Sequence, residues 1–150
     1  MNSLKSIFEG SVLGMGVNFK FEDYTMKVID AMNDRTNAVL AECSGELVAQ
    51  TQRNSRVDTG KTKGSFKYKV DEDSHTAYIG SDYQNAIWEE FGTGEYALKG
   101  NGRKGGWVYV DEKGDGHFTR GKKPSRAFWN AYSSTKDKII RRIQDVFKGL

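Results

Sequence analysis

The chain has 150 residues, 37% hydrophobic and 29% charged, which is enough for one folded domain with its own core. Its single cysteine, Cys43, excludes an intrachain disulfide and a cysteine-based metal site, and the lack of a long apolar run predicts a soluble protein with no membrane partner. The net charge of +3 is uneven, because residues 1–98 hold 10 basic against 15 acidic residues (−5) and residues 99–150 hold 13 against 5 (+8). This asymmetry indicates an acidic partner, either nucleic acid or an acidic protein face. The alternative is that the basic residues are spread over solvated loops, which is the commoner role of any single lysine.

The first predicted element is a long helix from Asp23 to about Arg53, with apolar residues every three or four positions. We expect this stripe to be core packing, with a kink or a close backbone approach at Gly45. The stripe consists of Met26, Ile29, Met32, Thr36, Val39, Leu40, Cys43 and Leu47. Two interpretations of residues 1–16 remain open: an N-terminal arm, or a start assigned too early, with Met15 as the alternative start.

Strand signals follow a turn at 58–60. Residues 66–70 alternate apolar and cationic side chains, and 77–80 follow an acidic turn, which predicts an antiparallel hairpin with one wet face. Residues 83–91 fit a helix, and an extended conformation fits them nearly as well. The glycine- and lysine-rich segment 92–106 is expected to be a mobile loop. A second hairpin is predicted from 107–110 and 117–119.

The only proline, Pro124, is predicted to lie in the first turn of a C-terminal helix. The expected buried stripe of this helix is Phe128, Ala131, Tyr132, Thr135, Ile139, Ile143, Val146 and Phe147. The whole chain is therefore predicted to be one α+β domain, 1–150. It should contain a long N-terminal helix, an antiparallel sheet of about four strands and a C-terminal helix packed on the sheet.

The sequence does not predict an enzyme. The Asp-Thr-Gly sequence at 58–60 matches the triplet of aspartic proteases, but such an aspartate should close an apolar strand, and the polar residues 53–57 precede it. A helix-to-strand turn explains it better. The histidines, His75 and His117, both lie in predicted turns, with no nucleophile or ligand set nearby in sequence. We therefore predict no catalytic, cofactor-binding or metal-binding residues.

Taken together, three motifs in this order resemble the head-tail joining or tail-completion proteins of long-tailed bacteriophages, also described as minor capsid or connector proteins. The family pattern is a helix, an Asp-Thr-Gly turn with a basic residue, a hairpin, a segment ending in Glu-Phe-Gly-Thr and a Pro-Phe entry to a final helix. The matching residues are Asp58, Thr59, Gly60, Lys61, Glu90, Phe91, Gly92, Thr93, Pro124 and Phe128.

The resemblance implies a structural virion protein of the phage neck. It would form a homo-oligomeric ring, with six subunits as the expected number, that completes the tail and lets genomic DNA pass through without specific binding. Its partners would be the tail tube protein and a head-completion or connector protein. Such a protein assembles in the cytoplasm of the bacterial host. A ring needs two unlike patches on each subunit. The expected assembly residues are Tyr83, Trp88, Phe91, Lys99, Arg103, Lys104, Arg120, Lys122 and Lys123.

The alternative is a small nucleic-acid-binding module that uses the basic C-terminal third. Trp107, Tyr109 and Phe118 would then be stacking surfaces for bases. Their alternation in sequence is also that of core strand residues.

Overall fold

The computed structural model describes residues 24–58 and 60–148. Three sequence predictions lie outside this part of the chain: the N-terminal arm, the helix start at Asp23 and the conformation of Thr59. The described residues form four helices, Thr25–Asn54 (α1), Lys61–Gly64 (α2), Gln84–Phe91 (α3) and Ala127–Lys148 (α4). They also form four strands, Phe66–Asp71 (β1), Thr76–Ser81 (β2), Trp107–Val110 (β3) and Gly116–Thr119 (β4).

The prediction of an α+β chain with a helix at each end and four antiparallel strands is confirmed. The strands do not form one sheet, however. β1 pairs with β2 and β3 pairs with β4, in two separate antiparallel hairpins. Each hairpin follows from local sequence, namely alternating apolar and polar residues and a turn between them. Whether two hairpins pair into one sheet depends on tertiary contacts. The open choice at 83–91 is settled as helix α3.

α1 is the element on which the others assemble. Its C-terminal part packs against α4 on one side and against the β1–β2 hairpin on the other. Small buried side chains line these contacts, including Ser44 and Thr51 on α1 and Ala131 and Thr135 on α4. The hydroxyls of Thr51 and Thr135 each donate to the carbonyl four residues earlier, at 2.8 Å, so burial leaves neither unpaired.

The prediction that the whole α1 stripe is core was wrong for its first half. Burial begins at Val39, while Met26, Ile29 and Met32 are 68%, 44% and 38% exposed. The apolar residues recur at helical spacing along the whole helix, but α4 and the first hairpin do not extend to its N-terminal end. On α4, Tyr132 and Phe147 are likewise more exposed than predicted.

Gly45 was expected to mark a kink or a close approach. The Tyr68 ring of β1 lies over it, and a Cβ at Gly45 would stand 3.7 Å from that ring. This is ordinary van der Waals contact, so Tyr68 approaches closely here but does not require a glycine.

Candidate assembly surface

Glu90 joins the second and third motifs. Its carboxylate accepts hydrogen bonds from the backbone N–H of Phe128 (2.9 Å) and of Trp129 (3.0 Å), both in the first turn of α4. These N–H groups have no partner inside the helix, so Glu90 acts as an N-cap supplied from α3. Arg126 adds an ion pair to the same carboxylate at 3.8 Å.

The sequence placed Pro124 in the first turn of the final helix, and this was wrong. α4 begins at Ala127, after Arg126 with a φ of 56°. The cap that fixes the helix start comes from Glu90, so the helix begins where that carboxylate reaches. Pro124 instead lies against Gly92, where an added Cβ would be 2.8 Å from the proline ring.

The segment after Glu90 is bound to the segment before α4 by backbone pairing. The N–H of Thr93 donates to the carbonyl of Lys122, and the N–H of Lys122 donates to the Thr93 hydroxyl, both at 2.9 Å. The N–H of Glu95 donates to the carbonyl of Arg120 at 2.9 Å. We call residues 90–95 together with 120–129 the motif junction. The start of the predicted mobile loop is therefore held by hydrogen bonds to residues 120–122.

The first motif borders the same region. A cleft of about 440 Å³ separates the 56–62 turn from the start of α3 and from Lys122. Asp58, Gly60 and Lys61 lie on one side and Tyr83 on another. Gly60 has a left-handed φ of 79° and precedes α2, which makes the turn a helix entry. Glu89 and Lys122, which adjoin the second and third motifs in sequence, line the same cleft, so the first motif lies beside the motif junction.

Glu89 is a residue that the sequence motifs did not single out. One carboxylate oxygen forms an ion pair with Lys122, and the other is buried with no hydrogen-bond partner in residues 24–58 and 60–148. Its backbone carbonyl accepts hydrogen bonds from the N–H (2.7 Å) and hydroxyl (3.0 Å) of Ser125. Glu89 therefore supports the motif junction beside Glu90. Its role depends on contacts with residues 122–125, which are remote in sequence, so no local sequence signal indicated it.

Two of the three predicted aromatic interface residues are exposed. Trp88 and Phe91 on α3 are 47% and 41% exposed, while Tyr83 is half-buried at the start of the helix. Trp88, Trp107 and Tyr109 together line an open depression of about 620 Å³, which we call the aromatic depression. Phe118 lies on the other face of its hairpin, because it pairs with Val108 while Trp107 and Tyr109 alternate with that residue.

Most of the predicted basic contact residues interact with their own chain. Lys99, Arg103 and Lys123 lie over the rings of Phe91, Trp107 and Tyr96, with cation-to-centroid distances of 5.6, 5.5 and 5.7 Å. Two more form ion pairs: Arg120 with Glu95 at 3.8 Å, and Lys122 with Glu89. Lys104 is exposed in the loop before β3.

Part of the charge asymmetry is also used inside the subunit. Glu42 and Glu46 of α1 form ion pairs with Arg142 and Lys138 of α4. All four side chains are substantially exposed, so these pairs orient the helices more than they stabilise them.

Asp111, the two histidines and Cys43 all have contacts within the fold. Asp111 accepts hydrogen bonds from the N–H groups of Lys113 and Asp115 within its turn, and its contact with His117 is the main reason that its pKa is lowered. The other histidine, His75, hydrogen-bonds to the side chain of Asn37. Burial raises the pKa of the Cys43 thiol, which makes it a poor nucleophile.

Within the ranges 24–58 and 60–148, no three or more metal-binding side chains come together. No helix there is long and apolar enough to cross a bilayer. Comparisons of the chain with protein-family models, with curated proteins and with solved structures gave no match.

Proposed function

We propose that the chain is a structural protein of a tailed-phage neck, not an enzyme. In this role it forms a ring, with six subunits as the expected number, that completes the tail and joins it to the head around the DNA channel. Its partners are further copies of itself, the tail tube protein and a head-completion or connector protein. The virion is its site of action.

The convergence of the three motifs is the observation that carries this proposal. Glu90 caps the helix that follows Pro124, and Gly92 provides the space that Pro124 occupies. The cleft beside them is lined by Asp58, Gly60 and Lys61. Because the motif residues contact or adjoin one another in the fold, the three motifs can be treated as one family pattern and not as three unrelated turns.

The distribution of apolar side chains supports a role in assembly. Among the described residues, seven hydrophobic residues are buried, and twenty-one large ones are exposed. What is typical of a protein interface is a contiguous apolar patch, and Trp88, Trp107 and Tyr109 form one at the aromatic depression. A ring needs two unlike patches per subunit, and the aromatic depression with Phe91 of α3 supplies one of them.

The basic residues are proposed to face a neighbouring protein more than the DNA channel. A conduit that gripped phosphates at many lysines would hold the genome, since each contact adds affinity. Five of the six predicted basic contacts already interact with rings or carboxylates of their own chain. Their contact with DNA would then compete with these interactions.

We also propose that α4 packs towards the first hairpin in the assembled protein. Side chains of α4 and of β2 line the two walls of one apolar groove whose floor is α1. Apolar side chains that fill this groove would contact both walls, so the C-terminal helix would pack on the first hairpin through them.

The nucleic-acid-binding module remains the second candidate because of the aromatic depression, where Trp88, Trp107, Tyr109 and Lys122 meet. The three rings predicted to stack with bases cannot act on one surface, because Phe118 is on the other face of the hairpin from Trp107 and Tyr109. A gel-shift titration separates the two functions. Tight binding with a steep salt dependence supports the module, and negligible binding at physiological salt supports the virion joint.

A deletion in the phage that encodes this chain tests the proposed function. We expect full heads and finished tail tubes to accumulate unjoined in electron micrographs of the lysate. Supplying the intact chain from a plasmid should restore infectious particles. Complete, infectious virions formed without the protein would contradict the proposal.

A further inference from the structure

The first three turns of α1 extend past α4 and the β1–β2 hairpin, the two main packing partners of this helix among the described residues. The ion pairs Glu46–Lys138 and Glu42–Arg142 show that α1 and α4 run antiparallel, four residues forward on one for four back on the other. Continuing this pairing puts Lys148, the last residue of α4, opposite about residue 36 of α1. α4 therefore ends opposite the third turn of α1, near residue 36.

The β1–β2 hairpin ends at the same level. The side chain of Asn37 donates to the Glu72 carbonyl at 3.4 Å and hydrogen-bonds to His75 at 2.9 Å, and both partners lie in the hairpin turn. Residues 25–36 of α1, which we call the projecting segment, therefore lie beyond the ends of both packing partners.

The projecting segment continues the apolar stripe that is buried further along the helix. Met26, Ile29 and Met32 are all exposed, on the side of α1 that carries Leu40 and Leu47 below. Asp30 lies at one edge of the stripe, beside Met26, and Asp34 lies further round the helix. Neither has an ion-pair partner in the described ranges.

A groove of matching character lies on the same chain. It runs between β2 and α4, with α1 as its floor, and has a volume of about 240 Å³. Its lining is apolar, with Leu40, Ala77, Ile79, Ile139, Ile140 and Ile143 among the residues. Lys136 is the charged residue in its wall. We call it the apolar groove.

We propose that the projecting segment of one copy lies in the apolar groove of the next copy. An amphipathic helix with anchors at three- and four-residue spacing is the shape that such a groove accepts. The segment cannot enter the groove of its own chain, because α1 is one continuous helix whose later residues form the groove floor. Asp30, at the edge of the stripe, would meet Lys136, which gives the contact a charge match as well.

This contact is heterologous, because the segment and the groove are different surfaces of one subunit. It deepens the proposed ring and rests on that function for the closure of the ring, but the docking itself can be tested without tails. A pairing of two projecting segments, by contrast, would leave both grooves open.

Disulfide trapping tests which surfaces meet. In full-length chains that carry Cys43→Ala, Ile29→Cys and Ile140→Cys are made separately, mixed and oxidised. We expect a cross-linked dimer of the two variants. Ala31→Cys, on the opposite side of the same helix, is the matched control and should not link to Ile140→Cys. Linking of Ile29→Cys mainly to itself, or equal linking by the control, would overturn the proposal.

A mixing experiment that keeps Cys43 gives an independent test. Ile29→Asp places a charge on the apolar stripe of the projecting segment, and Ile140→Asp places one in the apolar groove. Each variant alone should weaken self-association by about 30-fold or more, as the loss of a central interface residue does. Mixed, the two variants should form a dimer and nothing larger, because one intact segment meets one intact groove. Ala31→Asp should behave as wild type. Wild-type association by both single variants would overturn the docking.

Failure of the proposed function looks different. If the chain cross-links through Ile29 and Ile140 but plays no part in joining heads to tails, the docking stands and the neck function falls. If Ile29→Asp still forms rings on tails, the neck function stands and this docking falls.

Discussion

Glu90 links two segments that are nearly forty residues apart, through hydrogen bonds to the N–H groups of Phe128 and Trp129. Its side chain is 13% exposed, so water replaces these bonds poorly if the carboxylate is lost. At the residue scale, this one side chain sets both the start of α4 and the position of α3 beside it.

Glu90→Ala is expected to lower the free energy of unfolding by about 2 kcal/mol, because it leaves two helix N–H groups without their cap. Glu90→Gln keeps one carbonyl oxygen as an acceptor and should lose about 1 kcal/mol. Urea denaturation measures both. Glu112→Gln, exposed in the β3–β4 turn, is the control and should change stability by less than about 0.5 kcal/mol. A Glu90→Ala loss no larger than the control would refute the capping role.

The elements show which features the sequence could predict. Both hairpins and the long α1 were predictable, since alternation, turn residues and helical period are local properties. The start of α4 was not, because the cap at Ala127 is supplied by Glu90 of another element. The backbone pairing of residues 93–95 with 120–122, which we call the tether, was also not predictable, because a high glycine content locally indicates mobility. Gly92 and Gly94 instead allow close backbone contact.

Gly94 and Gly100 form a matched pair that tests this tether. Both have a positive φ, 59° and 69°, so alanine strains the backbone at either position by about 1 kcal/mol. A Cβ on Gly94 would also lie 2.2 Å from the carbonyl oxygen of Arg120, whereas one on Gly100 meets nothing within 4 Å. We expect Gly94→Ala to lower the free energy of unfolding by about 3 kcal/mol or more. Equal losses in thermal or urea unfolding would show that the tether is not formed.

On the scale of the whole molecule, the chain has a small core and much uncovered apolar surface. The period of α1 predicted one long buried stripe, but a period cannot tell where the packing partners end, and here they end near residue 37. The candidate site was predictable as a set of motif residues, because their order resembles a known family. Their meeting at the motif junction, and the part of Glu89 in it, depend on contacts across the fold.

Phe91→Ala separates assembly from stability. The ring is 41% exposed, with Lys99 above it, so its loss should change the free energy of unfolding by less than about 1 kcal/mol. If it is an interface anchor, the variant should fold and yet fail to add to tails in a pull-down with tail tubes. Tyr78→Ala, 60% exposed on the wet face of the first hairpin, is the control and should assemble normally. Normal assembly by Phe91→Ala would remove this ring from the interface.

Electron microscopy of tail tubes incubated with the purified protein tests the neck function most directly. We expect averaged images to show a ring of several copies at the end of the tube that meets the head, with an open bore on the tube axis. Tubes that stay bare at both ends while the protein in the same sample is folded would contradict the proposed function.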